Sequence, residues 1–115
     1  MFEISQQIIA YFEDKIQFTD VCENRIFAVI APEDVVFPFA AFTINQFEAE
    51  TKNADIFDVT FFLWFEQDKY TDAIKFTDAC TELVRAKDDW DWKNSTFQFI
   101  EENTSYCGII NFNIL

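Results

Sequence analysis

From Pro38 onward the side chains alternate with a period of two. The pattern breaks at Thr51-Lys52-Asn53 and resumes as far as Phe65. A period of two belongs to a β-strand, whose successive side chains point to opposite faces of a sheet. In the second run Phe57, Val59, Phe61, Leu63 and Phe65 share a wholly apolar face, which has to lie on a core. Ile56, Asp58, Thr60, Phe62 and Trp64 share the other face, and its aromatic end needs a covering of its own. Two such runs joined by a few polar residues predict a long antiparallel hairpin.

The flanking segments supply the rest of a layered domain. Ile4, Ile8, Ile9, Phe12 and Ile16 recur at spacings of three to four and predict one amphipathic helix, followed by a connector from Thr19 to Asn24. Arg25 to Ile30 reads as a short strand stopped by Ala31-Pro32, because proline supplies no ladder donor. A second helix is expected from Lys69 to Ala86, with Asp68 as its cap. Lys87 to Ser95 then reads as a polar, Trp-containing loop. Strands follow from Thr96 to Ile100 and from Ile109 to Leu115, with Ile110, Phe112 and Ile114 inward and Gly108 at a kink or bulge. The expectation is a single α+β domain over residues 1–115, a mainly antiparallel sheet with two helices packed on it, in the order α-β-β-β-α-β-β.

Composition narrows the chemistry. The 115 residues include no His, one Gly (Gly108) and two Pro. Without His there is no imidazole base, no Ser-His or Cys-His nucleophile pair and no His-ligated zinc. With one Gly there is no phosphate-cradling loop. Eight Lys and Arg face 21 Asp and Glu, for a net charge of −13, and the cations are scattered singly from Lys15 to Lys93. Such a surface is unsuited to grip a nucleic-acid backbone or an anionic membrane. Aromatic residues make up 19% of the chain, far from the composition of a disordered acidic segment. Cys22, Cys80 and Cys107 form no C-x-x-C pair and read as reduced, buried thiols. The N-terminus lacks a basic secretory n-region, and no apolar run approaches the length of a membrane span.

Three constellations invite a functional interpretation. Asp88-Asp89-Trp90-Asp91-Trp92 offers carboxylates, but as a calcium loop it fails where Lys93, Asn94 and Ile100 stand in for ligands or the turn glycine. Glu48 and Glu50 are two apart on one strand face beside the hairpin tip, which suits solvated charges better than a catalytic cleft. The third is the aromatic surplus. Sixteen Phe exceed what one small core encloses, so some rings are expected at an interface between subunits. The candidate interface residues are Phe37, Phe62, Trp64, Trp90 and Trp92, with Glu48, Glu50, Lys52 and Asn53 at the hairpin tip. No residue is assigned to catalysis, to a cofactor or to a metal.

The strings Arg25-Ile26-Phe27-Ala28-Val29-Ile30-Ala31-Pro32 and Phe37-Pro38-Phe39-Ala40-Ala41-Phe42 resemble the tail-completion (head-to-tail joining, or tail-terminator) proteins of long-tailed bacteriophages. In that family an N-terminal helix leads to an Arg-Ile-aromatic strand, an Ala-Pro loop and a Pro-aromatic strand. A long strand follows, then a helix that begins here near Tyr70-Thr71-Asp72-Ala73, and a terminal strand pair. The resemblance covers nearly the whole chain; the acidity and the loop carrying Trp90 and Trp92 depart from it. It implies a non-enzymatic, cofactor-free homohexameric ring at the head-proximal end of the tail, assembled in the host cytoplasm. Its partners would be the tail tube protein and the head-tail connector, with DNA passing through the lumen unbound and no membrane involved. An alternative from the charge alone is an acidic DNA mimic that occupies a DNA-binding host protein. A third, a small α+β enzyme using buried carboxylates, has no motif in its favour.

Overall fold

The computed structural model describes residues 1–48 and 55–114. Helices α1 (Phe2–Glu13) and α2 (Ile16–Cys22) precede strands β1 (Ile26–Ala28), β2 (Phe39–Glu48) and β3 (Asp55–Glu66). Helix α3 (Tyr70–Arg85), β4 (Trp90–Ile100), a 3-10 turn (Glu101–Asn103) and β5 (Ser105–Ile114) complete the chain. The five strands form one sheet in the order β1-β2-β3-β5-β4. Only the β1–β2 pair is parallel. The fold is α+β, with one more helix than the alternation predicts.

The expected hairpin is present: β2 and β3 pair from Phe39 with Trp64 to Glu48 with Asp55. A strand rises about 3.3 Å per residue, so the twelve residues of β3 span roughly 40 Å and account for much of the 48 Å long axis. All three helices lie on one face of the sheet. Phe12 of α1 stacks on Phe61 with centroids 4.5 Å apart, Phe18 of α2 meets the same ring at 6.4 Å, and Phe76 of α3 meets Phe65 at 5.5 Å. Val59, Phe61, Leu63, Ile110, Phe112 and Ile114 are buried there, as the alternation requires. The Tyr11 hydroxyl donates to the Leu83 carbonyl at 2.6 Å and ties α1 to the end of α3.

Four expectations are corrected. The N-terminal helix ends at Glu13, and the supposed connector is α2, whose buried face is the i, i+4 pair Phe18 and Cys22; Ile16, expected inward, is 67% exposed. The segment from Trp90 to Ser95 is strand rather than loop. The extra residue Lys93 bulges between Trp92 and Asn94 and interrupts the period of two, which hides the strand from a reading of alternation. Asp68 makes no cap hydrogen bond to α3, whose cap position is Lys69. Gly108 is neither kink nor bulge, since it pairs in regular register with Leu63 and Phe97.

Gly108 instead makes room for α3. A Cβ at this position would collide with the side chain of Thr77. Thr77 stays satisfied where it presses on the sheet, its hydroxyl donating to the Ala73 carbonyl at 2.9 Å. The single glycine thus serves close approach, and among the described residues positive φ falls instead to Glu23, Val29 and Thr104. Val29 is the unusual one, because a β-branched residue at φ 70° is strained. Its amide donates to the Phe42 carbonyl at 2.7 Å, which fixes the point where the chain leaves the sheet edge.

Candidate interaction surface

Among the described residues no helix crosses the other face of the sheet. The pairing aligns its side chains in rows across β2, β3, β5 and β4. One row reads Phe39, Trp64, Cys107, Gln98 and the next Ala41, Phe62, Ile109, Thr96. Toward the hairpin the rows turn polar: Thr43, Thr60, Asn111, Asn94, then Asn45, Asp58, Asn113, Asp91. In the first polar row the Thr60 hydroxyl donates to Asn111 Oδ1 at 3.0 Å, and Asn111 Nδ2 donates to Asn94 Oδ1 at 2.9 Å. Side chains therefore bridge three strands, without a packed layer above them. The same face is apolar at one end and hydrogen-bonded at the other.

The apolar end is walled by residues 29–37, which turn over it. Phe37 approaches Phe39 at 5.3 Å, Phe27 meets Phe39 edge-on at 6.3 Å, and Phe39 stacks with Trp64 at 6.4 Å. Between wall and sheet lies a trough of about 410 Å³, floored by Phe39, Ala41, Phe62 and Trp64. A second hollow of about 470 Å³ runs on from it, sharing Val35, Phe37 and Asn103 and ending at Glu66 and Thr104. Val29, Ile30 and Val36 remain exposed along the wall.

Of the candidate interface residues, the structure brings Phe37, Phe62 and Trp64 together in this trough. Glu48 is exposed at the end of β2, while Glu50, Lys52 and Asn53 lie outside the described residues. The two remaining tryptophans lie on the opposite, helix-covered face. Trp90, expected to be accessible, is 5% exposed and stacks on Phe112 at 4.8 Å, with Tyr11 edge-on at 4.7 Å. Trp92 is half-buried under the Arg85 guanidinium at 4.9 Å, and its Nε1 donates to Ser95 Oγ at 3.0 Å. Phe39 and Val35 are parts of the trough that the sequence did not single out. The signal for Phe39 was the hairpin register, which sets it opposite Trp64 once Glu48 is paired with Asp55.

The acidic Asp88 to Asp91 segment neutralises part of its charge locally. Lys87 bonds Asp89 and Lys93 bonds Asp91, each at 2.7 Å, and the Lys87 hydrogen bond holds the Asp89 carboxyl below its usual value. Among the described residues no group of three or more Cys, Asp or Glu is placed to hold a metal ion. The cysteines are buried and unpaired. Burial pushes the Cys22 and Cys107 thiols up to about 12 and raises Cys80 well above its ordinary value, which opposes thiolate chemistry. No described helix is long and apolar enough to cross a membrane.

No protein-family model and no curated protein sequence matches the chain. Among solved structures, a chain described as part of the virion of a native gene transfer agent particle has the same fold. Its TM-score is 0.71 over 96% of this chain and 89% of that one, at 11% sequence identity.

Proposed function

We propose that this protein is a structural subunit of a phage-like virion, a tail-completion component that forms a hexameric ring at the head-proximal end of the tail. The observation that carries the reading is the near end-to-end likeness to a chain of a gene transfer agent virion, which extends over both chains rather than over a shared motif. Three further features support it. Among the described residues no helix covers one face of the sheet, and that face carries Phe39, Phe62 and Trp64 at its apolar end. The hairpin is long, with β2 and β3 paired from Phe39 with Trp64 to Glu48 with Asp55, which suits a part that reaches a neighbouring component. Its two outer strands, β1 and β4, leave edges at which a subunit can meet the next around a ring.

On this reading the chain works by shape and contact, without catalysis or a cofactor, between the tail tube protein and the head-tail connector. A ring of six subunits each carrying −13 repels the DNA that passes through it, and its assembly is favoured when salt screens that repulsion. Light scattering on the purified protein across concentration and salt tests the reading. A mass near six times 13.6 kDa, growing with salt, is the expected result. A strict monomer under every condition contradicts self-assembly into a ring and returns weight to the acidic DNA mimic.

A further inference from the structure

We propose that the trough on the open face docks an extended segment of a different protein, one that carries an apolar anchor flanked by lysine or arginine. The inference rests on the assembly reading and deepens it, by giving this face a partner of stated chemistry.

Shape and charge both favour such an occupant. The floor of Phe39, Phe62 and Trp64 and the wall of Val35 and Phe37 form a concave apolar surface of the kind that takes a large side chain. The hollow that continues from it toward Thr104 extends the trough beyond a single side chain, so an extended strand fits better than a compact ligand. The charges along this path are of one sign. Glu33 lines the first hollow and Glu66 the second, Glu101 and Glu102 adjoin Asn103, and among the described residues no lysine or arginine lines either hollow. The neighbouring depression between α2 and α3, which Glu66 also borders, is of mixed charge, with Lys69 and Lys75 beside Asp20 and Asp72, so Glu33 is the acid that belongs to the trough alone.

Charge complementarity selects the occupant. A second copy of this chain brings −13 to an acidic rim and is disfavoured there. A segment with cations beside its anchor gains from Glu33 and Glu66 while burying its apolar side chain on Trp64. Subunits of one ring then meet through other surfaces, and this face is left for the unlike partner.

The test uses the full chain immobilised against a displayed library of random peptides. The expected outcome is enrichment of sequences with an aromatic or aliphatic anchor next to Lys or Arg. Their affinity should weaken as salt rises from about 50 mM to about 500 mM. Two variants locate the site. Glu33→Lys with Glu66→Lys, both exposed and so expected to fold normally, should weaken the selected peptides roughly tenfold and switch selection toward Asp- and Glu-flanked anchors. Trp64→Ala should abolish binding. Enrichment of peptides without flanking cations, equal binding by the charge-reversed variant, or no enrichment at all overturns the proposal. The masses of the parent and charge-reversed chains by light scattering separate the two readings. A ring that forms but selects no cationic peptide defeats this inference alone, whereas a monomer that selects one defeats the ring alone.

Discussion

Phe61 and Phe62 are neighbours on β3 and point to opposite faces of one sheet. Phe61 is fully buried, stacked between Phe12 and Phe42 under the helical layer. Phe62 is half-buried on the floor of the open trough. The same side chain serves the stability of the domain in one case and its availability for contact in the other. The difference is set by a single residue of strand register, because a slip of one would exchange every pair of faces. A sheet whose described helices all lie on one side thus divides its residues, holding the fold together with one face and leaving the other open.

The largest effect should come from breaking the covered face. Phe61→Ala should cost about 3–5 kcal/mol, as expected for a large aromatic removed from a closed core, a large share of the roughly 5–15 kcal/mol that holds a domain folded. Phe62→Ala should cost roughly 1 kcal/mol or less, because part of that ring already faces water. Urea midpoints of the two variants check the contrast, and equal losses would erase the distinction between the faces.

Gly108→Ala should come next, at about 1–3 kcal/mol, since the added methyl meets Thr77 where α3 presses on the sheet. Adding Thr77→Ala should recover part of that loss, and a double-mutant cycle with no coupling would refute the close-approach explanation.

Cys107 marks where the open face is itself closed, for it is buried between Trp64 and Gln98 in its row. Its thiol stands at about 12 when folded, against about 8.5 for an unperturbed thiol in an unfolded chain. Between those values the unfolded chain holds fewer protons, so stability is fully present below the lower value and falls as pH rises toward the higher one. At about pH 9.5 this thiol should account for on the order of 1 kcal/mol of lost stability, and Cys107→Ala should lessen the drop in urea midpoint between neutral and alkaline solution. An undiminished drop would show that Cys107 does not contribute.

The smallest effect concerns the polar rows. Asn111→Ala removes both links of the bridge from Thr60 to Asn94. It should cost about 0.5–1 kcal/mol, since water replaces much of what is lost on a face without a helical layer. A loss of several kcal/mol would mean that this face is structural after all.

Much of this division was legible in the sequence. The apolar run Phe57, Val59, Phe61, Leu63 and Phe65 announces the covered face, and Phe62 and Trp64 announce the need on the other, because period two converts directly into sidedness. Two signals were masked by local irregularity. The bulge at Lys93 shifts the phase of β4 by one and makes Trp90 and Trp92 look like loop aromatics, although both face the helices. The short α2 buries only Phe18 and Cys22 fully, too few positions to establish a helical period against the apolar Ile16 that points to solvent. The wall of the trough was beyond the sequence for another reason. Residues 29–37 have no period, and their place over Trp64 depends on tertiary contacts such as that of Phe37 with Phe39.

The division of labour between the faces can be tested most directly by hydroxyl-radical labelling of the free chain and of the particle proposed to contain it. The account predicts that Phe39, Phe62 and Trp64 are labelled in the free chain and protected in the particle, while Phe61 and Phe112 are protected in both. Labelling of the trough that is unchanged by assembly would contradict it.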